Sequence, residues 1–113
     1  MSGITTHVLD TARGRPAAGV PITLEAQLEG EWTVVGRGVT DADGRLRELA
    51  PADFVVSEGP YRLTFDTGTY FEAAGAAGFY TEVVVSFVVR DAAAHYHVPL
   101  LLSPYGYTTY RGS

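Results

Sequence analysis

Apolar residues recur at every second position through much of the chain. Val20, Ile22, Leu24, Ala26 and Leu28 alternate with Pro21, Thr23, Glu25 and Gln27, the period of a strand with one packed and one wet face. Tyr61, Leu63 and Phe65 alternate with Arg62, Thr64 and Asp66 in the same way, predicting a strand over 61–67. Runs rich in β-branched and aromatic residues add strands at 4–9, 32–39, 82–90 and 95–102, and shorter ones at 45–49 and 105–111. Turn residues separate them: Gly14-Arg15-Pro16, Glu29-Gly30-Glu31, Asp41-Ala42-Asp43-Gly44 and Ser103-Pro104. Only Phe71-Glu72-Ala73-Ala74 favours helix, and Gly75 and Gly78 keep that helix short, near residues 70–76. Eight short strands and one short helix predict an all-β antiparallel sandwich, a single domain over 1–113.

Alternation also assigns faces. In the 95–102 strand, Tyr96, Val98, Leu100 and Leu102 form a bulky continuous set that belongs to the core. His95, His97, Pro99 and Leu101 then point outward. In the first strand, burying Ile4, Thr6 and Val8 turns Thr5, His7 and Leu9 outward. In the last strand, Tyr105, Tyr107, Thr109 and Arg111 alternate with Thr108, Tyr110 and Gly112. Outward faces bearing Leu9, Pro99, Leu101 and Tyr110 are too apolar for plain solvent, which suggests a subunit interface with histidines set in it.

Composition narrows the chemistry. The chain has 113 residues, no cysteine and a net charge of −5, and all eight of its cations are arginine. Disulfides and thiolate metal sites are excluded, and so few cations argue against nucleic acid as a partner. No basic segment followed by an apolar run opens the sequence, and no apolar stretch reaches bilayer length, so a cytoplasmic protein without a membrane partner is expected. The Asp41-x-Asp43-Gly44 segment lacks the spacing of a calcium loop and reads as a hairpin turn. There is no phosphate-binding glycine loop and no Gly-x-Ser-x-Gly elbow.

His7, His95 and His97 are the only histidines, and histidine is the side chain best suited to carry protons near neutrality. A His-x-His pair on one strand face is also a metal geometry, but its third ligand would have to be His7 or a distant carboxylate. The residues alone leave a metal site open but weakly supported. Arg45, directly after the turn glycine, would by itself be an ordinary solvated charge.

The C-terminal run from His95-Tyr96-His97-Val98-Pro99 through Ser103-Pro104-Tyr105 to Tyr110-Arg111-Gly112-Ser113 resembles the signature of the 5-hydroxyisourate hydrolases, members of the transthyretin-like family. Thr5-Thr6-His7-Val8-Leu9-Asp10-Thr11, Gly14-Arg15-Pro16-Ala17, Thr40-Asp41-Ala42-Asp43-Gly44-Arg45 and the stretch 61–71 carry the likeness over the rest of the chain. Thr108 stands where that family usually has serine, and the 75–78 loop is unusually bland.

The resemblance implies a transthyretin-like (prealbumin-like) sandwich and a homotetramer, a dimer of dimers around a channel. It implies hydrolysis of 5-hydroxyisourate to 2-oxo-4-hydroxy-4-carboxy-5-ureidoimidazoline in urate degradation, with neither cofactor nor metal. His7, Arg45, His97 and Ser113 would be catalytic, Tyr110, Arg111 and Gly112 would bind substrate, and His95 would support His97. The rival readings are a non-enzymatic small-ligand carrier of the transthyretin kind and a structural β-sandwich module, since one fold serves many functions.

Overall fold

The computed structural model describes residues 3–113. Its elements, in chain order, are β1 (Ile4–Asp10), β2 (Arg15–Pro16), β3 (Pro21–Leu28), β4 (Glu31–Val39), β5 (Arg45–Leu46), β6 (Gly59–Phe65), α1 (Thr67–Ala73), β7 (Val83–Val89), β8 (Tyr96–Ser103) and β9 (Gly106–Thr109). They form two sheets. One runs β2-β1-β8-β9, with β5 also paired to β1, and the other runs β4-β3-β6-β7. The eight expected strands are present, and Arg15–Pro16, expected inside a turn, makes a ninth by pairing with Leu9 and Asp10.

The strand expected over 45–49 ends at Leu46, because the chain leaves the sheet there to bury Leu49, which is 1% exposed. One pairing departs from the antiparallel pattern. β1 and β8 run parallel, Ile4 beside Tyr96 through Asp10 beside Leu102. The whole second sheet lies between them in sequence, so no tight hairpin constrains their direction.

The inner faces interdigitate as alternation requires. Ile4, Val8, Val98, Leu100 and Leu102 of the first sheet meet Ile22, Leu24, Leu63, Phe65 and Val83 of the second, and all are buried.

The helix begins three residues earlier than its composition suggests. Asp66 caps it, its carboxylate accepting from the Thr69 backbone N–H at 3.1 Å and from the Thr69 hydroxyl at 2.7 Å. Thr67, Tyr70 and Phe71 form its buried face. The Tyr70 hydroxyl donates to the carboxylate of Asp10 at 2.6 Å, tying the helix to the end of β1. Asp10 is 2% exposed and also accepts from the backbone N–H groups of Ala12 and Arg13, so this buried carboxylate is well supplied with donors. Burial, then the adjacent carboxylate, pushes the Tyr70 phenol above its ordinary value.

Candidate active site

The parallel pairing of β1 and β8 sets Thr5 beside His97 and His7 beside Pro99. On its other edge β1 takes β5 antiparallel, with His7 opposite Arg45. Because Thr5, His7, His97 and Arg45 all occupy outward positions, one surface of the first sheet gathers residues from three distant parts of the sequence. A cleft of about 410 Å³ opens there, lined by Thr5, Thr6, Arg45, Arg47, His95, His97 and Ser113.

The Asp41–Gly44 turn builds one side of the site. The Asp41 carboxylate accepts from the backbone N–H groups of Asp43 at 2.9 Å and Arg45 at 3.0 Å. Those bonds, the Arg45 one first, hold its pKa below the ordinary carboxylate range, although it is solvent-exposed. Gly44 adopts a φ of +75°, and a Cβ there would lie 2.3 Å from the carbonyl oxygen of Val8. A side chain is therefore excluded where the turn meets β1. The Asp43 carbonyl accepts the Nε2–H of His7 at 2.8 Å. A turn with the composition of a hairpin thus fixes Arg45 and one histidine together.

The C-terminal tail builds the other side. Gly112 forms a bridge with His97, and its N–H donates to the His97 carbonyl at 2.8 Å. A Cβ on Gly112 would lie 2.7 Å from Cδ2 of the His97 ring, so the glycine is there to let the tail lie against the imidazole. The Arg111 guanidinium covers the Tyr96 ring at 4.4 Å and donates to the His95 carbonyl at 3.2 Å. These contacts lay the tail along β8 and bring Ser113 to the cleft.

His97 is half-buried, with Nδ1 2.9 Å from the Thr5 hydroxyl. Its Nε2 has no hydrogen-bond partner among the described residues. Burial lowers its pKa below the ordinary 6.5, and nearby Arg45, His7 and His95 lower it further. The ring is therefore largely neutral at pH 7 and able to accept a proton.

Of the residues expected at the site, Arg45, His97 and Ser113 share the cleft. His7 is Arg45's neighbour across the sheet but is not part of the cleft wall. Tyr110 and Arg111 line a separate cavity of about 230 Å³ with Phe87, Val88, Arg90, Tyr96, Val98 and Thr109. Gly112 packs on the His97 ring. Thr5 and Arg47 were not singled out in sequence. Arg47 shares a strand parity with Arg45, a signal that was available; the Thr5 contacts arise only when β1 and β8 pair. Among the described residues no three His, Cys, Asp or Glu side chains converge as metal ligands, and no helix is long and apolar enough to cross a membrane.

Fold and site together define a transthyretin-type β-sandwich carrying a cleft lined by histidine and arginine. The chain belongs to the HIUase/Transthyretin family, which matches residues 4–112. A 5-hydroxyisourate hydrolase from Caulobacter vibrioides is 49% identical, with 100% of both chains covered. The structure of Klebsiella pneumoniae 5-hydroxyisourate hydrolase matches with a TM-score of 0.84 and 39% identity, again over 100% of both chains. Sea bream transthyretin, solved with thyroxine, matches with a TM-score of 0.89 and 33% identity, covering 98% of this chain and 95% of its own. The backbone therefore does not separate enzyme from carrier, and the side chains of the cleft must.

Proposed function

We propose that this protein hydrolyses 5-hydroxyisourate, opening its six-membered ring to 2-oxo-4-hydroxy-4-carboxy-5-ureidoimidazoline in urate degradation. The cleft that joins His97, Arg45 and Ser113 carries this reading, together with the near-full-length likeness to hydrolases of that name. Adding water to a carbonyl beside a ring nitrogen sets three tasks: activate the water, stabilise the oxyanion, and protonate the departing nitrogen. The Nε2 of His97 takes the water proton, and the oxygen attacks the carbonyl carbon. Arg45 presents its planar fork to the substrate oxygens and stabilises the negative charge that develops. On collapse the carbon–nitrogen bond breaks and the His97 proton passes to the nitrogen. Ser113 orients the water, and His7, bonded to the Asp43 carbonyl and opposite Arg45 across the sheet, holds the turn that presents Arg45. Tyr110, Arg111 and Gly112 act on substrate binding by shaping and fixing the tail.

The working form is a homotetramer, a dimer of dimers in the cytoplasm. Its support is the family fold and the apolar character of the outward face, where Leu9 and Leu101 stay half-exposed in the single chain.

The decisive experiment follows 5-hydroxyisourate by ultraviolet absorbance as it is generated from urate by a urate oxidase. Addition of the protein should speed its decay over the spontaneous rate. His97→Ala should lose roughly 10²–10⁴ of that acceleration, and Arg45→Ala roughly 10²–10³. No acceleration by a folded, assembled protein would refute the hydrolase and favour a ligand carrier.

A further inference from the structure

The Thr5 hydroxyl lies between two imidazoles, 2.9 Å from Nδ1 of His97 and 3.0 Å from Nε2 of His95. A hydroxyl has one proton, so while it donates to one ring it accepts from the other. The two histidine tautomers are thereby coupled. If Thr5 accepts from His97, that ring carries its proton on Nδ1 and keeps a lone pair on Nε2. If Thr5 donates to His97, the Nε2 carries the proton and the ring has no lone pair to offer water.

Once His97 has taken a proton, the ambiguity disappears. An imidazolium has a proton on both nitrogens, so its Nδ1–H must donate to Thr5, and Thr5 must donate to His95. That arrangement requires a lone pair on His95 Nε2. We infer that Thr5 and His95 are positioning residues for His97: the hydroxyl, backed by the neutral His95 ring, holds Nε2 of His97 as the water-facing base. The logic is that of an orienting group behind a catalytic histidine, where the bond made by one ring nitrogen sets the state of the other. Here a hydroxyl and a second histidine replace the usual carboxylate.

A pH consequence follows from the chain of bonds. Protonated His95 has no lone pair at Nε2, so Thr5 must accept from it and turn its own proton toward His97. His95 is exposed in the single chain. The groups around the two rings are Arg45, Arg47 and Ser113 across the cleft, His7 on β1, and Arg111, which holds the His95 carbonyl. Among the described residues no Asp or Glu side chain joins them; the one carboxylate there is the terminal group of Ser113. Acid therefore silences His97 through its neighbour as well as directly.

This inference rests on the hydrolase reading for its kinetic arm only. Thr5→Val keeps the side-chain shape and removes the hydroxyl. It should lower kcat about 10- to 100-fold, less than the roughly 10²–10⁴-fold supplied by a general base itself, with little change in KM. Thr5→Ser should restore most of the rate. His95→Gln offers Thr5 a carbonyl acceptor that does not titrate; it should keep most of kcat and move the acid limb of the pH profile to lower pH. Nitrogen-15 spectra of the ligand-free protein give the second arm. They should show His97 protonated at Nδ1 with a bare Nε2 at neutral pH, and a tautomer mixture in Thr5→Val. Wild-type kcat in Thr5→Val, an unmoved acid limb in His95→Gln, or a His97 tautomer indifferent to Thr5 would each overturn the inference. If even the wild type fails to open 5-hydroxyisourate, the function fails while the spectra still decide whether Thr5 sets the tautomer.

Discussion

His97 is sandwiched between a hydroxyl and a glycine, and the smallest change on the glycine side reaches it. Gly112→Ala adds one methyl group where only 2.7 Å separates the new carbon from the ring. The ring or the tail must shift by a few tenths of an ångström or more, and misplacing a reacting group by about 1 Å can cost about 10² in rate. Steady-state kinetics on this variant should show kcat falling at least about tenfold with the melting temperature little changed. A wild-type kcat would mean that the tail yields without moving the imidazole. At this scale the sequence was partly readable. Alternation placed His7 and His97 outward, because Tyr96, Val98, Leu100 and Leu102 could only be core. Arg45 emerged only through its family resemblance, since one charge after a turn has no pattern of its own. Thr5 was invisible as a partner of two histidines because its contacts span about the whole length of the chain.

Elements were legible in kind and less so in their ends. The helix shows why. Residues 71–74 have the best helical composition, yet the helix starts where a carboxylate is free to cap it, at Asp66. Its burial then depends on Tyr70, whose hydroxyl reaches the Asp10 carboxylate. Tyr70→Phe keeps the ring and removes that donor from a buried anion, which should cost about 1.5–3 kcal/mol. Urea denaturation would measure it, and a change under about 0.5 kcal/mol would mean that the two backbone donors at Asp10 suffice. The parallel β1–β8 pairing was not legible either, since strand direction leaves no mark on a period of two.

For the molecule as a whole, acidity and assembly are the properties to measure. The unfolded chain has a His97 with the ordinary pKa of 6.5, whereas the folded ring sits lower. Between those values the unfolded state binds more protons, so stability rises with pH and falls as the solution is acidified below about 6.5. Denaturation midpoints across pH 5 to 7 should decline toward acid, and less steeply in His97→Gln. An identical slope in both would remove His97 from the account. Assembly tests the outward apolar face. Leu101→Asp should convert a tetramer to smaller species by sedimentation, because placing a carboxylate in an apolar subunit contact carries a large desolvation cost. A tetramer that survives the change would place the contact elsewhere.

The pairing of β1 with β8 also bears on how the chain is made. β1 is synthesised before the whole second sheet, and its long partner only after it. Until β8 arrives, β1 has only the two short pairings with β2 and β5, and its other edge is unmet. The second sheet, by contrast, can close as soon as β7 is complete. Contacts of such long sequence separation form slowly, and an open strand edge invites pairing with other chains. On the ribosome the sandwich therefore stays half-built until β8 emerges, and that interval is when pairing with neighbouring nascent chains is the greatest risk.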